Sequence, residues 1–213
     1  MPKCKYHKVL SLILFLISCI FISETSIAKL SQSEQTDLQK LLAGDVIILA
    51  SQQKNQVFRI SAKIWIPTRP EPIWQVLTDY DRLSDYVPKL KKSQLISTTA
   101  NEKIVYQKGR TGVFLFYRTE KMTLKIHEKK FTQIDFEQLK GDFKVYRGRW
   151  TLQPLKNIKG TILCYEAEIK PDFFAPHFML KYIEKRDVPV VLRALKKKSL
   201  SQFNLNPNIL PNH

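Results

Sequence analysis

Two rhythms of apolar and polar residues run along this chain: a period of two through its middle, and helical spacing near its ends. Residues 33–43 read as a short amphipathic helix, with Ser33 as N-cap, Leu38, Leu41 and Leu42 on one face, and Gly44 as the stop. Asp45 to Ala50 and Val57 to Ile66 read as strands joined by the polar loop Ser51 to Gln56. In the second strand Phe58, Ile60, Ala62, Ile64 and Ile66 alternate with Arg59, Ser61, Lys63 and Trp65, giving one buried face and one wetter face.

Pro67, Pro70 and Pro72 end that strand and open a helix carrying Ile73, Trp74, Val76 and Leu77, since proline fits a first helical turn whose N–H groups have no intrahelical partner. The pattern breaks near Asp79-Tyr80-Asp81, and a second short helix runs from Arg82 to Tyr86. Strand patterns then follow one another: Lys92 to Thr98, Glu102 to Gly109, Val113 to His127, Phe131 to Leu139, Asp142 to Gln153 and Thr161 to Lys170. Short turns between them predict an antiparallel meander, and Gly141, Gly148 and Gly160 mark its turns or bulges. From Ala175 to about Ser199 apolar residues return to helical spacing, with Pro189 expected to kink or briefly break the helix. Residues 201–213, rich in asparagine and proline, read as a disordered tail.

The first residues carry a different signal. Lys3, Lys5 and Lys8 precede an apolar run from Val9 to Ile22, followed by small and polar residues up to Ser26-Ile27-Ala28. This is the layout of a secretory signal peptide cleaved after Ala28. The run, about 14 residues, is short for a permanent transmembrane helix, although an uncleaved anchor stays open. So does a lipoprotein signal: Leu16-Ile17-Ser18-Cys19 has the shape of a lipobox, but apolar Ile20-Phe21-Ile22 follow the cysteine where a polar tether is usual. The expected product is exported, free or anchored through Cys19. After cleavage at Ala28 only Cys164 remains, so no intramolecular disulfide can form and the domain must stand on its apolar core.

The net charge of the 213-residue chain is +16, and loss of residues 1–28 removes only three lysines and one glutamate. Such an excess favours anionic partners. Export argues against nucleic acid and leaves an anionic membrane surface as the charged partner to consider. The basic residues are spread widely, which also fits a merely solvated surface. No linker or internal repeat divides the mature chain, so one domain is expected.

The order of two strands, two small helices, a run of antiparallel strands and a long C-terminal helix resembles the helix-grip fold of the START-like superfamily. Three segments sharpen the resemblance to its polyketide cyclase/dehydrase and coenzyme Q-binding branch. Ile73 to Pro88 is similar to that branch's helix-turn-helix ending on an aromatic and a proline. Leu139-Lys140-Gly141-Asp142-Phe143, followed by Gly148-Arg149-Trp150-Thr151-Leu152-Gln153-Pro154, is similar to its paired strands. Lys89 to Ser93 matches its passage into the next strand. The resemblance covers residues 45–200 and implies an α+β fold in which a curved antiparallel sheet wraps the C-terminal helix.

In such a fold the concave sheet face and the last helix line a cavity. Alternation then assigns Phe114, Phe116, Met122, Leu124 and Ile126 inward from one strand, Ile134 and Phe136 from the next, and Leu163, Tyr165, Ala167 and Ile169 from another. Phe174, Phe178 and Tyr182 would face them from the helix. Arg118 and Glu120 share the phase of Phe116 and Met122: they form a polar handle for a ligand head, or a bulge turns both to solvent. Glu166 and Glu168 fall on the opposite phase and are expected to point to water. His127 reads as a surface residue, and His177 sits near the start of the last helix.

The four histidines are widely separated and the mature cysteine has no partner cysteine, so the spacing suggests no metal site. No glycine-rich phosphate loop, nucleophile elbow or cofactor motif is present. The chain is therefore expected to bind or carry a hydrophobic small molecule such as a lipid, quinone or isoprenoid. One alternative is a cyclase/dehydrase-type enzyme using Tyr165, Arg118, Glu120 or His177 to polarise a carbonyl. Another is an assembly factor with a filled core, acting through its surface.

Overall fold

The structure, a computed structural model, describes residues 32–113, 116–172 and 183–205, in two compact units, Met1–Ala43 and Gly44–His213. In the first unit a helix, α1, runs over 32–42; Thr36 Oγ1 donates to the Gln32 carbonyl at 2.9 Å and Ala43 N to the Gln39 carbonyl at 3.0 Å. The expected signal segment, with its alternative cleavage at Cys19, lies outside the described residues.

The second unit is an α+β domain built on one antiparallel sheet. Its strands are β1 Val46–Gln52, β2 Phe58–Ile66, β3 Leu90–Thr98, β4 Lys103–Val113, β5 Phe116–Lys129, β6 Gln133–Gly141, β7 Phe143–Pro154 and β8 Thr161–Pro171. They lie in the order β1-β2-β8-β7-β6-β5-β4-β3. Strands β3 to β8 form the predicted meander, and the β1–β2 hairpin pairs onto β8, leaving β1 and β3 as edges. Register shifts interrupt the ladders between Leu90 and Lys92, Leu95 and Ser97, Thr123 and Leu124, and Phe143 and Val145. Each extra residue increases local twist, which is how a flat ladder becomes a curved one.

Between β2 and β3 lie α2 (Pro70–Thr78) and α3 (Leu83–Tyr86). Pro70 occupies the first turn of α2, and Thr78 Oγ1 closes the last by donating to the Trp74 carbonyl at 2.9 Å. α2 buries Pro72, Ile73, Trp74, Val76 and Leu77, while the Tyr86 hydroxyl donates to the Val76 carbonyl at 2.6 Å and ties α3 to it. A π-turn, Ile183–Asp187, leads into the C-terminal helix α4, Val188–Leu205. α4 lies against α2, α3 and β2. Pro189 sits in the first turn of α4, so the expected break falls where the π-turn passes into the helix. The helix continues to Leu205 rather than ending near Ser199, so residues 201–205, expected in the tail, are helical.

The inward face of β2 is as the alternation predicted: Ile60, Ala62, Ile64 and Ile66 are fully buried beside Ile73, Val76, Leu152, Leu163, Leu192 and Leu195. Each fully buried aliphatic side chain of this kind contributes about 1.5–3 kcal/mol. No described helix is long and apolar enough to cross a membrane.

Candidate functional site

Between the inward sheet face and α4 lies a cavity of about 360 Å³, partly open to solvent. Its deep wall is apolar: Ile60 from β2, Leu77 and Leu83 beside α2 and α3, Leu124 and Ile126 from β5, and Ile134 from β6. Val191, Leu192 and Leu195 of α4 face them. One flank is aromatic. The rings of Phe136 and Tyr165 stack nearly parallel, at 11° and 6.1 Å between centroids, and Trp150 stands 4.5 Å from Tyr165. Tyr146 lies 5.3 Å from both Phe136 and Phe143.

Gly148 makes this flank possible. It pairs with Phe136 on one side and Ala167 on the other, and a Cβ there would run into the Glu166 carbonyl and the Phe136 ring. Without it the ring lies across β7 and reaches Tyr146 and Tyr165.

Polar groups enter the wall at few places. Glu120 is 3 % exposed and lines the cavity. Tyr146 and Tyr165 are hydrogen-bonded to each other; burial pushes both phenols up, so both are protonated at neutral pH and act as hydrogen-bonding groups. Gln107 also lines the cavity, its amide 3.5 Å from the Ser93 hydroxyl. On the deep side the Tyr80 hydroxyl points out of the cavity and donates to Glu128 at 2.6 Å, and Lys103 Nζ holds the same carboxylate at 2.8 and 3.0 Å. Burial, with the Glu128 bond behind it, raises the Tyr80 phenol far above its ordinary range. At the rim Lys89 Nζ donates to Asp187 at 2.6 Å, joining the start of β3 to the turn before α4. Lys89 has a left-handed backbone, φ 68°, a conformation unusual for lysine. Arg110 is exposed beside it, its backbone N–H on the Lys89 carbonyl at 2.9 Å.

Of the residues assigned inward from sequence, Glu120, Met122, Leu124, Ile126, Ile134, Phe136, Tyr165 and Ile169 line the cavity. Leu163 and Ala167 are buried in the core and are not on its wall. Arg118 is exposed and off the wall although it shares the phase of Glu120, so the two do not form a joint handle. Phe114, Phe174, His177, Phe178 and Tyr182 lie outside the described residues, and for Phe116 only the backbone is described. Of the four side chains considered for carbonyl polarisation, two, Glu120 and Tyr165, are on the wall.

Sequence reasoning missed Tyr146, Trp150, Gln107 and Leu192, and it put Phe58 and Ile60 on the buried face of a strand without assigning them to a cavity. Tyr146 and Trp150 flank Gly148 at a spacing of two, a signal that was available. His127 is exposed, its Nδ1 2.9 Å from the Asn101 carbonyl. Glu166 is exposed, and Glu168 is held on the outer face by Arg59 at 2.6 Å and Arg147 at 2.7 Å. The buried Cys164 thiol is pushed up by desolvation, which keeps it protonated and unreactive.

No curated protein matches the chain. Solved structures with the same fold include an aromatase/cyclase, Zhui, from a Streptomyces species, 13% identical with a TM-score of 0.59, covering 68% of this chain and 95% of that one. A STAR-related lipid transfer protein from Xanthomonas axonopodis is also 13% identical with a TM-score of 0.59, over 73% of this chain and 93% of that one. Human StAR-related lipid transfer protein 5 is 10% identical with a TM-score of 0.58, over 84% and 97%. At such identities the likeness speaks for the helix-grip fold. The family model for polyketide cyclase / dehydrase and lipid transport matches residues 66–196, from the end of β2 into α4, and the chain belongs to that family.

Proposed function

We propose that this protein is an exported carrier for an apolar small molecule held between the sheet and α4. The observation that carries the reading is the cavity of about 360 Å³, whose deep wall is made of buried aliphatic and aromatic side chains. A ligand there is stabilised by roughly 25 cal/mol for each Å² of apolar surface it removes from water. The volume stands near the small end of the roughly 300–1,000 Å³ usual for ligand pockets. It suits one chain or one compact ring system, such as a single-tailed lipid, a quinone ring or a short isoprenoid, better than a two-chain lipid.

Export rests on the basic, apolar and small-residue layout of residues 1–28, and attraction to anionic membranes on the excess of 32 basic over 18 acidic residues that the chain keeps after their loss, +14. The test is native mass spectrometry of protein purified gently from its own host, followed by organic extraction. The expected result is a stoichiometric apolar adduct on a chain beginning at Lys29. A bare mass, with no uptake from a panel of lipids and quinones, would refute the carrier reading.

A further inference from the structure

We propose that the cavity selects a single-tailed amphiphile whose head donates hydrogen bonds, an amine or a hydroxyl, over the same tail ending in a carboxylate or phosphate. The inference rests on the carrier reading and adds a direction and a head chemistry to it.

Direction comes from the register. Along β5 the inward residues run Glu120, Met122, Leu124, Ile126, polar at one end and apolar at the other. On β4, Gly109 stands opposite Glu120, Gln107 opposite Met122 and Val105 opposite Leu124, repeating the gradient. The polar end adjoins the exposed rim residues Lys89 and Arg110. At the apolar end lie Leu77, Leu83, Leu192 and Leu195, all nearly inaccessible. A ligand therefore lowers its free energy by placing its tail beneath α2 and α4 and its head at Glu120.

The head chemistry follows from what waits there. Glu120 is 97% buried, and a buried carboxyl group is costly unless it keeps hydrogen-bonding partners. It offers about four lone-pair sites, so one protein neighbour does not exhaust its capacity to accept. Tyr146 and Tyr165 line the cavity and are bonded to each other, which adds phenolic oxygens to its polar part. An amine or hydroxyl meets acceptors at this place. A carboxylate or phosphate brings only acceptors to a place already lined with acceptor oxygens. The nearby cations Lys89, Arg110 and Arg118 are all exposed, where salt screens their attraction for an anionic head, and Lys89 is held by Asp187 at 2.6 Å.

The experiment compares ligands of one tail length. All four share a twelve-carbon tail, so only the head differs in the cavity of about 360 Å³. Dodecylamine, 1-dodecanol, dodecanoate and dodecyl phosphate compete with the neutral fluorophore N-phenyl-1-naphthylamine, in about 0.3 M salt to suppress attraction to the basic surface. Amine and alcohol are expected to displace the fluorophore at concentrations at least tenfold below those of the two anions. In Glu120→Gln, which keeps the volume, the gap between amine and dodecanoate should close to within about threefold while tail-driven binding persists. Tyr165→Phe should weaken the alcohol more than the amine, and melting curves check that both variants fold. Equal or better binding of the anions by the native protein, or an unchanged gap in Glu120→Gln, overturns the head preference and leaves the carrier reading standing. Failure of all four ligands and of the fluorophore to bind overturns both.

Discussion

Gly148 holds the aromatic flank of the cavity by having no side chain. Alanine there would put a Cβ against the Glu166 backbone and the Phe136 ring, with strands on both sides unable to retreat. Gly148→Ala is expected to cost about 1–3 kcal/mol, as overpacking of a closed site does, read as a lower urea midpoint at unchanged m-value. It should also lower uptake of any apolar ligand, because the displaced ring moves into the cavity. On the opposite face, Glu168 gives stability a pH dependence. Hydrogen bonds from Arg59 and Arg147 hold its carboxyl below the usual range. Its folded-state value is therefore depressed, so its contribution is complete above the unfolded value of about 4.3 and is lost as pH falls through the folded value. Asp135 acts with the same sign: burial opposes its ionisation, but hydrogen bonds from Arg149 and Gln133 prevail. Because the arginines are exposed, solvent and salt keep both effects small. Urea midpoints should fall between about pH 5 and pH 3, less steeply in Glu168→Gln. An identical slope in that variant would remove Glu168 from the account.

At the scale of elements, α4 both seals the core and limits the cavity, so one substitution can report on both. Leu192 is 1 % exposed and lines the cavity from α4. Leu192→Ala is expected to cost about 2–5 kcal/mol. The space it opens adjoins an existing cavity, so dodecanol should raise the melting temperature of the variant by more than that of the native protein. An equal rise would mean that Leu192 does not bound the ligand space. The elements themselves were legible because each strand pairs alternation with a turn signal, and the phase brought Glu120, Met122, Leu124 and Ile126 to the wall as a set. Phase alone did not separate Arg118 from Glu120, two residues apart: burial requires something to cover the face, and cover is a property of other elements. The same limit hid which core residues face a void, since the distance from α4 to the sheet leaves no mark on the alternation of either. The end of α4 escaped for a different reason. Ser199, Ser201 and Asn204 are indifferent helix formers, but Ser199 is buried with its hydroxyl on the Leu195 carbonyl at 2.9 Å, and Leu200 packs on the core, so tertiary contact carries the helix on to Leu205.

For the whole molecule the question is where its positive charge acts, +16 for the full chain and +14 after loss of residues 1–28. On the outer sheet face three basic residues are locally paired, Arg59 and Arg147 with Glu168, and Arg149 with Asp135. Near the cavity rim the balance differs: Lys89, Lys91, Lys92 and Arg110 lie at the start of β3 and along β4, with Lys185 and Arg186 in the turn before α4, all exposed, and Asp187 among them. A field of this kind would turn the rim toward an anionic bilayer, the orientation in which an apolar ligand has least water to cross. Position should then matter as well as total charge. Lys91→Glu with Lys92→Glu is expected to weaken cosedimentation with anionic vesicles by several-fold more than Lys63→Glu with Lys129→Glu, which change the net charge equally at exposed sites away from the rim. Raising salt from about 0.05 to about 0.5 M should reduce binding of the native protein and shrink the difference between the pairs, since the Debye length falls well below the size of the domain. Equal loss in the two pairs would leave attraction by net charge alone. Binding indifferent to salt would remove electrostatics from the approach and leave the apolar cavity as the sole basis for a carrier.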